Sequence, residues 1–172
     1  MYGFFYIIGH SEPDGDCIGS QLALGSFLSR RGNGVKLHSA GPFNRPEIAE
    51  LSQHFNGRIN RKSIPDNSAV ILVDCSSLDR IGDLKEDIQG MPVCVIDHHA
   101  SGSLFGDVRW IVPSAPSVTL MIQMLITQFD DRPTEEEAQH LFFGLATDTG
   151  FFRHLDSTRG DSFRAAADLV DA

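Results

Sequence analysis

Six side chains between His10 and Asp148 are of the kinds that hold divalent cations: His10, Asp14, Asp16, Asp74, His98 and Asp148. Mixed imidazole and carboxylate donors suit manganese, magnesium, iron or zinc, and the absence of paired-cysteine spacing argues against a structural zinc knot. The four carboxylates carry four negative charges. Two divalent ions would balance them, whereas without cations the groups would repel and some would take up protons. A pair of ions can activate water and clamp the attacking and leaving oxygens of a phosphate ester.

Taken singly, each residue has a plainer account. His10 could be a structural histidine. Asp14 and Asp16, beside Pro13 and Gly15, could be ordinary turn formers. Asp74 and Asp97 could cap helices, and Asp148 could be a surface carboxylate. Together these accounts require six coincidences at the ends of predicted elements, so the metal reading is preferred.

The elements that must carry these residues are legible as apolar runs. Phe4 to Ile8, Ala69 to Val73 (AVILV) and Val93 to Ile96 (VCVI) are short and continuous, as expected of parallel strands covered on both faces. Each run stops in chemistry: the first at His10, the second at Asp74, the third at Asp97-His98-His99. Further strands are expected at Val35 to Ala40 and Val108 to Val112, the latter within an otherwise loop-like stretch from 100 to 113. Helices are expected at 17–31, at 45–56 entered at Pro46, near 82–89, and after Ser114 as a cap with Pro116 in the first turn. Thr134 and Glu137 form a capping-box pattern ahead of Ala138, Leu141, Phe142 and Leu145. That helix should end near Gly150, leaving Asp148 where the helix dipole disfavours a carboxylate and a cation would offset it. A last helix is expected from Ser162 to Ala172. The fold class is α/β, a doubly wound parallel sheet flanked by helices on both faces, with the ligand site at the strands' carboxyl ends.

At 172 residues, with 41% hydrophobic and 22% charged, the chain should form one domain. No apolar stretch approaches a membrane span, and the N-terminus lacks the basic region and cleavage site of a signal peptide. Three cysteines, Cys17, Cys75 and Cys94, suit a reducing cytoplasm. A net charge of −9 disfavours a simple nucleic-acid-binding module, unless some acidic residues hold cations. His38, His54, His140 and His154 are read as structural, and Arg30-Arg31 and Arg61-Lys62 as solvated charge. Cys17 is read as a small buried hydrophobe with no catalytic part.

Four ordered motifs resemble the DHH family of phosphoesterases: HSEPDGDCIGS, VDCSS, IDHHAS and GLATDTGFFRH. The PDGD form of the first resembles the branch of RecJ-like exonucleases, oligoribonucleases that also dephosphorylate phosphoadenosine phosphate, and cyclic-dinucleotide phosphodiesterases. The inorganic pyrophosphatases and exopolyphosphatases of the superfamily usually carry Thr or Ser where Gly15 stands. The resemblance implies two divalent ions, with manganese expected and magnesium the alternative. His10 and Asp14 would bind the first, Asp16, His98 and Asp148 the second, and Asp74 would bridge them. His99 would contact the scissile phosphate, Asp97 would orient a ligand from behind, and Arg153 would contact phosphate.

Members of that branch carry a C-terminal substrate-binding domain with a glycine- and histidine-rich motif, which this sequence lacks. The expectation is a single DHH catalytic domain over 1–172. The expected substrate is a short oligonucleotide or nucleotide phosphate, with no membrane partner and with an oligomer compatible. The alternatives are a metal- and nucleotide-binding regulatory module or fragment without turnover, or a polyphosphate or pyrophosphate hydrolase of the same superfamily.

Overall fold

A computed structural model describes residues 1–103, 105–155 and 159–172. Five strands, β1 (Phe4–Ile8), β2 (Gly34–His38), β3 (Ser68–Val73), β4 (Val93–Asp97) and β5 (Val108–Ile111), form one sheet in the order β2-β1-β3-β4-β5. Every neighbouring pair is parallel. The order reverses between β1 and β3, so a crevice opens outside their carboxyl ends.

The apolar strands alternate between two cores. Ile7, Ile71, Val73 and Ile96 face one side, and Tyr6, Ile8, Val70, Leu72 and Val95 face the other. The first side is covered by α1 (Gly15–Arg30), α3 (Val118–Gln128), α4 (Glu135–Asp148) and α5 (Gly160–Val170). The second is covered more thinly, by the one-turn α2 (Leu84–Asp87) and the 3-10 turn Leu78–Ile81, through Ile81, Leu84 and Ile88, with Ile59 and Ile64 beside them. Helical cover is therefore present on both faces but lopsided.

The tight pairing of α1 with α4 matters most for the site. A β-carbon at Gly19 would collide with the His140 carbonyl oxygen, and one at Gly144 would crowd the Asp16 Cα of α1 as well as the Thr119 side chain of α3. Glycine at both positions lets the helices approach closely, bringing Asp16 at the start of α1 beside Asp148 at the end of α4. Glu137, fully buried, locks the far end. It accepts from Ser26 Oγ and Arg30 Nε, both at 2.9 Å, and completes the capping box with Thr134.

Several local expectations change. Residues 45–56 form a 3-10 helix, Pro46–His54, rather than a regular α-helix. Only Ile48 in it is buried, and the three-residue step from Ile48 to Leu51 suits three residues per turn. The cap of α3 is Ser117, not Ser114; its Oγ accepts from Leu120 N at 3.1 Å, and Pro116 lies ahead of the helix. The next two amides, Val118 N and Thr119 N, donate to Asp16 from 102 and 103 residues away, a tertiary contact that local pattern does not reveal. Arg30 and Arg61 are not merely solvated. Arg30 pairs with buried Glu137, and Arg61 donates to the carbonyls of Glu86, Asp87 and Gln89 at the end of α2. The loop-like stretch expected at 100–113 carries its strand as β5 and includes residue 104, which lies outside the described residues.

Candidate metal centre

Three parallel strands deliver the floor of the site. The chain leaves β1 into His10, then enters α1 at Asp14, whose Oδ1 caps the helix by accepting from Cys17 N at 3.0 Å. β3 ends in Asp74, which adopts a left-handed backbone with φ of 54°. Aspartate tolerates that region better than most residues, but it is still strained, and such strain gathers at functional sites. β4 ends in Asp97, followed by His98 and His99. The last turn of α4 adds Asp148. All six expected ligands thus meet at the carboxyl end of the sheet.

Asp74 lies at their centre and is 2% exposed. Its Oδ2 is 3.4 Å from His10 Nε2, and its Oδ1 is 3.6 Å from His98 Nε2. His10 Nε2 also lies 3.8 Å from Asp14 Oδ1. His98 Nε2 lies 3.6 Å from Asp148 Oδ2 and 4.0 Å from Asp16 Oδ2. Both imidazoles are held from behind: His10 Nδ1 is 2.7 Å from the Ser11 carbonyl oxygen and His98 Nδ1 is 3.1 Å from that of Ala115. Carbonyl acceptors fix the ring proton on Nδ1 and aim the Nε2 lone pair at the carboxylates, the usual orientation of a metal-binding histidine.

Donors in three groups lie within 4.8 Å of one another: His10 with Cys17 and Asp74, Asp74 with His98 and His99, and Asp16 with His98 and Asp148. Asp74 Oδ1 is buried with no hydrogen-bond partner among the described residues. A lone carboxylate oxygen left so would be costly. Two histidine-carboxylate clusters sharing one buried carboxylate, one of whose oxygens is unpartnered, fit divalent cations well.

The electrostatics agree. Burial first, then the nearby charges of Asp74 and Asp148, hold Asp16 far above the usual carboxylate range. Asp16 is anchored nonetheless, since Val118 N, Thr119 N and Thr119 Oγ1 all donate to it within 2.8 Å. Burial likewise raises Asp74. Asp148 is pushed up to about 6, by burial and by Asp74 and Asp14, against the opposing pull of His98. Burial would lower His10, but the carboxylates of Asp14 and Asp74 outweigh it and hold the imidazolium well above its usual range. A proton on His10 Nε2 stands where a cation would, and an ion would displace it. Asp14 is the exception among the carboxylates: burial opposes its charge, yet His10 and the Cys17 amide hold it down to about 2.

Asp97 is fully buried and serves the backbone as well as a ring. Its Oδ1 accepts from His98 N at 2.8 Å, from His99 N at 3.2 Å and from His99 Nδ1 at 2.8 Å. It therefore orients His99 rather than the ring of His98. The same His99 Nδ1 lies 3.6 Å from Asp74 Oδ1, and the His99 side chain is 37% exposed. Arg153 is exposed on the turn after α4, and its Nε donates to the Gly150 carbonyl at 3.0 Å. Cys17 is the residue whose place the sequence reading missed. Burial was foreseen, but not a sulfur within 4.8 Å of both His10 and Asp74; the signal was its position seven residues after His10 on the helix that Asp14 caps.

Residues 4–145 match the DHH family, N-terminal domain. The chain belongs to the DHH family. Among curated relatives, a Thermus thermophilus protein named bifunctional oligoribonuclease and PAP phosphatase NrnA is 29% identical over 168 residues, covering 98% of this chain and 50% of the relative. A Bacillus subtilis protein of the same name is 25% identical over 173 residues, covering 99% of this chain and 53% of the relative. The chain thus spans about half the length of these relatives. An exopolyphosphatase-related protein from Bacteroides fragilis has a similar fold, with a TM-score of 0.85 at 23% identity, over 98% of this chain and 52% of that one.

The raised carboxylates make metal-free stability depend on pH. A carboxylate raised in the folded state binds its proton more tightly there, so its contribution is present at low pH and lost as pH rises through the folded value. For Asp148 that loss runs from about pH 4, the ordinary aspartate value, to about 6. Asp148→Asn should therefore stabilise the metal-free protein at pH 7.5 by about 1 kcal/mol, a figure kept small because the side chain still reaches solvent. At pH 4 the difference should nearly vanish. Urea unfolding in chelator checks this, and a variant less stable than wild type at pH 7.5 would contradict it.

Proposed function

We propose that the chain is a divalent-metal-dependent phosphoesterase acting on short oligonucleotides or small nucleotide phosphates such as phosphoadenosine phosphate. The observation that carries this reading is Asp74, buried and strained between two histidine-carboxylate clusters with one oxygen turned to each. In this reading His10 and Asp14 hold one ion, Asp16, His98 and Asp148 hold the other, and Asp74 bridges. Manganese is the expected ion, with magnesium the alternative, because oxygen-rich sites with a few imidazoles suit them. When bound, such ions lower the pKa of water and offset charge on phosphoryl oxygens.

The chain's own residues do the rest. Asp97 holds the His99 ring through Nδ1, leaving Nε2 to donate to a phosphoryl oxygen as charge develops. The hydrogen bond to Asp97 also raises the His99 pKa, which favours the donating imidazolium. Arg153 on the rim is a phosphate contact through its planar fork. Asp16, fixed by the α3 amides, keeps its cluster from shifting when substrate enters.

The names of the Thermus and Bacillus relatives support an oligonucleotide or phosphoadenosine phosphate substrate. The resemblance favours the same choice over a pyrophosphatase-like activity, since the superfamily's pyrophosphatases usually carry Thr or Ser where Gly15 packs against Thr147. Residues 1–172 serve as a single catalytic domain in this reading, and its free cysteines, two buried and one half-buried, suit a cytoplasmic setting. Among the described residues no helix is long and apolar enough to cross a membrane.

The alternative reading is a module that binds metal and nucleotide without turnover. A manganese-dependent turnover assay on a diribonucleotide and on phosphoadenosine phosphate separates the two. Release of mononucleotide or phosphate is expected, and His99→Ala should lower kcat roughly a hundredfold or more while leaving manganese binding intact. Nucleotide binding with no product would favour the module.

A further inference from the structure

The sulfur of Cys17 occupies a place that the proposed two-ion site does not use. Cys17 is fully buried in the first turn of α1. Its Sγ, a His10 ring nitrogen and an Asp74 carboxylate oxygen all lie within 4.8 Å of one another. Asp74 itself is 2% exposed, and the oxygen it turns toward this cluster, Oδ2, lies 3.4 Å from His10 Nε2. The thiol donates to Gln21 Oε1 at 3.7 Å. Gln21 is held in that pose, because its Nε2 donates to the carbonyls of Ile7 at 2.9 Å and His38 at 3.0 Å. A thiol whose proton is engaged in this way is a poor donor to a hard ion. The thiolate is a strong donor to a soft one.

We propose that Cys17 is a conditional metal ligand, which leaves a hard ion to His10, Asp14 and Asp74 but joins them when the ion is thiophilic. With Mn2+ the thiol keeps its proton and goes on donating it to Gln21 Oε1. With Cd2+ or Zn2+ the sulfur turns to the ion and the proton leaves to solvent, as coordinated thiols are deprotonated outright. The first-ion site then has nitrogen, oxygen and sulfur donors, and it prefers thiophilic ions more strongly than its histidine and carboxylates alone would. This inference rests on the metal-site reading above.

The test is a titration of the wild-type protein, Cys17→Ala and Cys75→Ala with Cd2+, following sulfur-to-cadmium charge-transfer absorbance, alongside Mn2+ binding measured by electron paramagnetic resonance. Cys75 is the control thiol, also buried but donating to the Ser77 carbonyl at 3.2 Å. The band should develop in wild type and in Cys75→Ala and be absent in Cys17→Ala. Cys17→Ala should bind Mn2+ as wild type does, which also shows that it is folded, while its preference for Cd2+ over Mn2+ falls roughly tenfold or more. A band that survives in Cys17→Ala overturns the inference. So does a wild-type protein that binds both ions without the band, and in that case the two-ion site stands. A wild-type protein that binds neither ion overturns the site and the inference together.

Discussion

Asp74→Ala should lose both the bound ions and the hydrolysis, with kcat falling on the order of a thousandfold or more. Charge stabilisation by catalytic ions is worth several kcal/mol of barrier, and each 1.36 kcal/mol is about tenfold in rate. Among the described residues Asp74 is the one carboxylate whose two oxygens face different histidines, at 3.4 Å and 3.6 Å, so its removal weakens both clusters together. Asp148→Asn, by contrast, touches only one. Because alanine leaves a hole beside His10, Asp74→Asn serves as the isosteric companion. It should fold at least as well as wild type in chelator, since burial already disfavours the Asp74 charge. Metal analysis of the dialysed proteins, with single-turnover rates, checks both variants. Full activity with bound metal in either would remove Asp74 from the centre of the site.

The second large effect is on stability. Saturating manganese should raise the melting temperature by roughly 10 °C or more. A ligand held at a hundred times its dissociation constant stabilises the folded state by about 2.7 kcal/mol, so two sites give about 5. For a domain of this size each kcal/mol is worth about 2–4 °C. The gain has a local origin: Asp16, Asp74 and Asp148 are all raised by burial and repel when ionised. Differential scanning calorimetry at pH 7.5, with and without manganese, reads it directly. An unchanged melting temperature would mean that the cluster tolerates its charge by other means.

Much of this was legible in the chain. The apolar runs ending in Asp74 and Asp97 gave both the strands and the side chains at their ends, because a parallel strand covered on two faces admits polar residues only where it stops. The capping box at Thr134 and Glu137 was local chemistry and appeared as expected. What local pattern could not supply was set by contacts across the fold. The start of α3 is fixed by Asp16 from the first turn of another helix. Glu137 and Arg30 meet only once α1 and α4 are packed. Asp97 belongs to His99 because the chain after β4 curls back over it. Cys17 had the right composition for a core residue, and only the fold puts its sulfur beside His10 and Asp74.

The most direct test is the electron paramagnetic resonance spectrum of the wild-type protein loaded with manganese. Two ions bound per chain, with the exchange-coupled spectrum of a pair bridged by one carboxylate, is the expected result. A single ion per chain, or two that give uncoupled mononuclear signals, would contradict a dinuclear centre built on Asp74.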